Sequence, residues 1–141
     1  MLDHIRLPVS DYDRSKRFYA AALEPLGNRL LVDERAPAGS ADAGFGSPRM
    51  PRFWIGTGSR AGPVHVAFLA PDRAAVRAFH AAAIAAGGTD NGAPGLRRHY
   101  HANYYAAFVL DPDGHNIEAV CHAPGSFEDQ FPDEWAVRPP R

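Results

Sequence analysis

HIRLPVSDYDRSKRFYAAALEPLG, residues 4–27, occurs a second time in the chain as HVAFLAPDRAAVRAFHAAAIAAGG, residues 65–88. The two align without a gap at a constant shift of 61: His4 falls on His65, Asp11 on Asp72, Phe18 on Phe79, Leu23 on Ile84 and Gly27 on Gly88. Ala20–Ala22 also fall on Ala81–Ala83, but alanine-rich segments match easily, so the His, Asp, Phe and Gly pairs carry the weight. A repeat of this size fixes an architecture before any local propensity does.

Each copy reads as a strand followed by a helix. HIRLPV and HVAFLA are short, apolar and without helical spacing, whereas Asp11 and Asp72 stand where a helix needs a side-chain acceptor for its first free amides. Gly27, Gly87 and Gly88 mark the helix ends, where a left-handed residue is common. Both copies then turn to β character. In the first, RLLVDE is a strand, residues 36–44 (APAGSADAG) a loop, SPRMP a turn and FWIG the last strand. In the second, residues 91–95 are a loop, NYYAAFVL a strand, DPDG a turn and HNIEAV the last strand. The pattern predicts an α+β chain of two tandem βαβββ modules, residues 1–60 and 61–122, forming one domain. Residues 123–141 form a Pro-rich, acidic tail with Phe127, Phe131 and Trp135 as anchors to the body or to a partner.

Length and charge narrow the class. The chain has 141 residues, enough for one well-filled domain, and a formal net charge of −1. Lys16 is the only lysine and the arginines are scattered, so no basic footprint for nucleic acid or a membrane surface is present. Cys121 is the single cysteine, which excludes an intrachain disulfide and a Cys-based zinc site and fits a reducing, cytoplasmic home. The opening MLDHIRLPVSD has no basic and apolar leader pattern, and no apolar run approaches the ~20 residues of a membrane span.

Within AFVLDPDGHNIEAVCH, residues 107–122, Glu118 stands out as a carboxylate in a short apolar strand. Either it faces solvent, beside an arginine, or it is buried with a cation or a proton. His4 and His65 are equivalent under the repeat, and a pseudo-twofold brings equivalent positions toward one cleft. RRHYHANYY, residues 97–105, is dense in groups able to act as acids, bases or hydrogen-bond donors.

Two βαβββ modules, a histidine in the first strand of each and LDPDGHNIE closing the second resemble the vicinal oxygen chelate superfamily over residues 2–122. That superfamily contains glyoxalases, extradiol dioxygenases, methylmalonyl-CoA epimerases, fosfomycin-resistance transferases and bleomycin-resistance proteins. The resemblance implies modules curved into a half-open mixed β-barrel with the helices outside and one divalent metal ion per site inside. It assigns the metal ligands to His4, His65 and Glu118. A fourth ligand, as in glyoxalases, would fall on Trp54, between Phe53 and Ile55, where no donor exists. Two histidines and one carboxylate suit Fe(II) first, with Mn, Ni or Zn as alternatives.

The resemblance thus implies a metal-dependent dioxygenase-like or glyoxalase-like lyase activity on a small molecule bound through two neighbouring oxygens. His101 and Tyr105 are candidate catalytic groups; His99, Tyr104, Phe53 and Trp54 are candidate substrate contacts. A fosfomycin-type thiol transferase is an alternative, although Ala106, Ala107 and Phe108 replace the polar residues that family carries there. A metal-free drug-binding resistance protein is another. The resemblance also implies a homodimer, with modules paired within or between chains.

Overall fold

The computed structural model describes residues 2–59 and 62–122, so the tail and its three aromatic residues lie outside the described residues. In chain order the elements are β1 (Ile5–Val9), α1 (Tyr12–Leu23), a 3-10 turn (Glu24–Leu26), β2 (Arg29–Arg35), β3 (Ala41–Gly46) and β4 (Pro51–Thr57). The second half repeats them as β5 (His65–Leu69), α2 (Arg73–Ala85), β6 (Thr89–Leu96), β7 (Tyr105–Leu110) and β8 (Asn116–Cys121). The α+β architecture of two βαβββ modules expected from the repeat is therefore present.

Both helices begin on the aspartates that the sequence marks. Asp11 accepts the Arg14 amide at 3.0 Å, and Asp72 accepts the Ala75 amide at 2.7 Å. The left-handed residues that end the two helical segments are Gly27 (φ 79°) and Gly87 (φ 100°).

Each module forms a four-stranded mixed sheet, ordered β1-β4-β3-β2 and β5-β8-β7-β6. In each, the first and last strands of the module are parallel neighbours. Arg6 pairs with Trp54 and Ala67 with Glu118. Since Arg6 and Ala67 are repeat equivalents, Trp54 is the counterpart of Glu118 in the first module.

Two segments read as loops are strands. Residues 41–44 belong to β3, because Ala41 and Ala43 are small enough to be buried against the core. Gly44 is overlaid by the Trp54 indole, and a Cβ there would stand 3.0 Å from the ring. The turn is confined to residues 36–40, closed by Ala36 donating to the Ser40 carbonyl at 2.8 Å. Residues 91–95 lie within β6, whose pairing with β7 is interrupted between Asp90 and Gly92 and again between Gly92 and Gly95. An edge strand with irregular pairing tolerates Pro94 and the glycines, so residues that usually form turns lie within a strand here.

The helix-bearing faces of both sheets share one core. Tyr19 of α1 packs on Phe18, Phe45 and Phe53, and Phe53 meets Phe68 of the second module edge-on at 5.1 Å. A polar latch adds to this. Tyr19 donates to Asp111 at 2.6 Å, and Asp113 accepts from the Ser10 amide, the Ser10 hydroxyl and, at 3.4 Å, the Ser15 hydroxyl. Asp111 also accepts the amides of Asp113 and His115, so the DPDG turn holds itself and the first module together. His115 is buried, and its Nδ1 accepts the Val64 amide at 3.1 Å, bracing the approach to β5.

Candidate functional site

Alternation along β8 decides where Glu118 points. Ile117, Ala119 and Cys121 belong to the core, so Glu118 projects from the opposite, outer face of the sheet. Its ladder neighbours are Ala67 on β5 and Phe108 on β7. Glu118 is only 2% exposed, and a carboxylate so buried needs partners for its charge.

The second module supplies two of them. Nε2 of His65 lies 2.9 Å from Oε2 of Glu118, and the Tyr104 hydroxyl donates to Oε1. His65 sits at the start of β5 with its side chain 49% exposed, and its ring stacks on Phe108 at 6.3 Å. The Arg97 guanidinium stands 5.4 Å from the Phe108 ring centre. Burial, then the bond to Glu118 and its charge, push the Tyr104 hydroxyl well above the ordinary tyrosine range, so it is a donor at neutral pH.

Tyr104 is itself fixed by aromatic neighbours. Its ring lies 4.9 Å from Tyr100, 5.5 Å from His101 and 5.3 Å from His122. Nδ1 of His101 accepts the Asn103 amide at 3.1 Å, which assigns the proton to Nε2 and makes it the donor to Nδ1 of His122 at 2.9 Å. Burial, followed by the nearby His101, lowers the pKa of His122. His99 packs on Tyr100 at 4.2 Å, farther out along the same loop.

Tyr105, the neighbouring candidate, points the other way. Its ring lies beneath Arg73 at 5.1 Å and its hydroxyl accepts from Arg77 at 3.5 Å, both on α2. Adjacent strand residues face opposite sides, so Tyr104 rather than Tyr105 reaches Glu118. The same rule separates Phe53, a core residue, from Trp54, which lies on the outer face of its sheet with its indole N–H donating to the Pro51 carbonyl at 3.2 Å. Phe53 is therefore no wall of a cleft on that face. His122, overlooked in the sequence as the end of a strand, is part of the cluster around Tyr104.

His4 stands apart. It lies just ahead of β1, 57% exposed at the side chain, with Nδ1 2.7 Å from the Asp3 carboxylate. Among the described residues no group of three or more His, Cys, Asp or Glu side chains is arranged to hold a metal ion. The histidine and carboxylate of the second module are adjacent and of the right chemistry for a divalent cation, and among the described residues no third such side chain is grouped with them. His4 precedes the first sheet, whereas Glu118 lies on the second.

The fold and this buried carboxylate place the protein in a class of two-module α+β proteins whose four-stranded mixed sheets are not closed on each other. The family model for the Glyoxalase/Bleomycin resistance protein/Dioxygenase superfamily matches residues 1–119, and the chain belongs to that superfamily. Among solved structures it is similar to a glyoxalase/bleomycin resistance protein from Albidiferax ferrireducens T118, with 32% identity and a TM-score of 0.68 over 85% of this chain and 97% of that one. It is also similar to an E144Q mutant of glyoxalase I from Zea mays, with 25% identity and a TM-score of 0.64 over 83% of this chain but 45% of the maize chain. A family enzyme from Burkholderia phytofirmans PsJN, 19% identical with a TM-score of 0.62 over 84% of this chain and 95% of that one, shares the fold. No curated protein matches the chain. No helix among the described residues is long and apolar enough to cross a membrane.

Proposed function

We propose that the protein is a divalent-metal-dependent enzyme acting on a small molecule that presents two neighbouring oxygens, and that its site is completed between two copies of the chain. The carrying observation is the buried Glu118 with the His65 imidazole 2.9 Å away. On this reading His65 and Glu118 of one copy and the partner's His4 hold the metal. The separation of His4 from the other two within one chain supports the shared arrangement, and the open outer faces of both sheets supply the surfaces that would meet.

A divalent cation bound there supplies Lewis acidity to oxygens of the substrate. A set of two histidines and one carboxylate leaves positions for both substrate oxygens and suits Fe(II), with Mn, Ni and Zn as alternatives. Trp54, at the repeat equivalent of Glu118, adds no fourth protein ligand and offers an apolar surface instead. That favours dioxygenase-like chemistry over a glyoxalase-like reaction built on four ligands. In the shared arrangement Phe108 of one copy and the partner's Trp54 give planar apolar contact, Arg97 lies over the Phe108 ring, and Tyr104 gives a polar group on the carboxylate. A reducing cytoplasmic home keeps Cys121 as a thiol.

Complementation between inactive variants tests the shared site. His4→Ala and Glu118→Ala proteins are each expected to lose metal when loaded and dialysed. Unfolded and refolded together, they are expected to regain about one quarter of the wild-type sites, because half of the dimers are mixed and each mixed dimer carries one intact site of two. No recovery in the mixture, with metal retained by the wild type, would sink the shared site.

The second reading is a metal-free ligand-binding protein, favoured by the fact that His65 and Tyr104 already satisfy both oxygens of Glu118. It predicts tight binding of a planar ligand by the wild type in excess chelator.

A further inference from the structure

We propose that Tyr104 is the positioning residue of this site: its hydroxyl occupies Oε1 of Glu118 and leaves only Oε2, the oxygen beside His65, to a metal. This inference rests on the metal-dependent reading and says how the carboxylate is made a one-oxygen ligand. A free carboxylate offers two equivalent oxygens and rotates about its last bond. Glu118 is denied both freedoms, because Oε1 accepts the Tyr104 hydroxyl and Oε2 faces the His65 imidazole at 2.9 Å.

The clamp is built rather than incidental. Tyr104 ends the loop that leads into β7, and the loop closes on itself where the Arg97 amide donates to the Tyr104 carbonyl at 2.7 Å and the Tyr104 amide to the His101 carbonyl at 3.3 Å. Tyr100, His101 and His122 hold the ring on several sides, so the hydroxyl has little room to swing away. A group that orients a metal ligand in this way shifts metal affinity by about 10- to 100-fold when it is lost.

The test compares the wild type with Tyr104→Phe, Tyr104→Ala and Glu118→Ala, each titrated with Co(II) against a competing chelator and examined by visible absorption. Circular dichroism confirms that each variant is folded. The expected result is that Glu118→Ala abolishes uptake, whereas Tyr104→Phe keeps the stoichiometry but binds about 10- to 100-fold more weakly with altered Co(II) bands. A role for the ring alone would leave Tyr104→Phe like the wild type and weaken only Tyr104→Ala. If Glu118→Ala loses Co(II) while Tyr104→Phe matches the wild type in affinity and spectrum, the positioning role is overturned and the metal reading stands. If the wild type takes up no Co(II), or Glu118→Ala binds it equally well, the metal reading fails and the positioning role falls with it.

Discussion

The Tyr19 hydroxyl, on the first helix, donates to Oδ2 of Asp111 at 2.6 Å across 92 residues of chain. Both groups are buried, so each depends on the other for a partner. Tyr19→Phe removes the donor and leaves the carboxylate oxygen unsatisfied, at an expected cost of about 1.5–3 kcal/mol in urea denaturation at neutral pH.

The same pair sets an alkaline limit. Burial, then the charge of Asp111 and the bond to it, raise the Tyr19 pKa well above its ordinary 10.0. The folded chain keeps a proton that the unfolded chain releases near pH 10.0, so the stabilisation is complete below that pH and declines as pH rises toward the folded-state value. Tyr19→Phe is expected to start less stable and to lose stability less steeply above that pH, measured by urea midpoints across the range.

Asp113 bears the other half of the latch. Asp113→Ala leaves the Ser10 amide and hydroxyl and the Ser15 hydroxyl without their acceptor, and is expected to destabilise the protein by about 2–4 kcal/mol. Equilibrium denaturation checks the size. An effect within experimental error would mean that the Ser10–Asp113 half of the latch adds nothing to the hold between the modules.

Two glycines of the first sheet separate a fixed obstacle from a movable one. A Cβ on Gly46 would stand 1.9 Å from the Met50 carbonyl oxygen, which is backbone, whereas one on Gly56 would meet the ends of Arg6 and Asp42. Gly46→Ala is therefore expected to cost about 2 kcal/mol or more. Gly56→Ala should cost less, through displacement of the exposed Arg6–Asp42 ion pair. Thermal melts of the two variants give the order directly.

His122 gives the acid counterpart. Burial and His101 depress its folded-state pKa, so its contribution is present above the ordinary value of 6.5 and is lost as pH falls through the folded-state value. His122→Gln is expected to flatten the fall of the denaturation midpoint as pH drops below the ordinary histidine value of 6.5. An unchanged slope would assign the acid sensitivity to other groups.

How much of this was legible follows from what each residue signals alone. Strand, helix and N-cap positions repeat with identical chemistry, so Asp11 and Asp72 announce themselves; Gly27 falls on Gly88 in the repeat, whereas the left-handed residue after the second helix is its neighbour Gly87. Glycine and proline in β3 and β6 signal turns locally, and only the overlying Trp54 ring and the edge position of β6 explain their use in strands. Glu118 was conspicuous because charge is rare in an apolar strand. The choice between Tyr104 and Tyr105 needed the exact start of β7, since one residue of register exchanges the faces of the sheet. His4 matches His65 by repeat, yet equivalence in sequence carries no information on whether the two meet in one chain.

The latch between Ser10 and Asp113 spans 103 residues, nearly the whole described chain. During synthesis the first module can assemble its own sheet, but the amide and hydroxyl of Ser10 receive their carboxylate only after the last turn has left the ribosome. Completion of the native state therefore waits on this distant contact, a topology that slows the final folding step and couples the two halves.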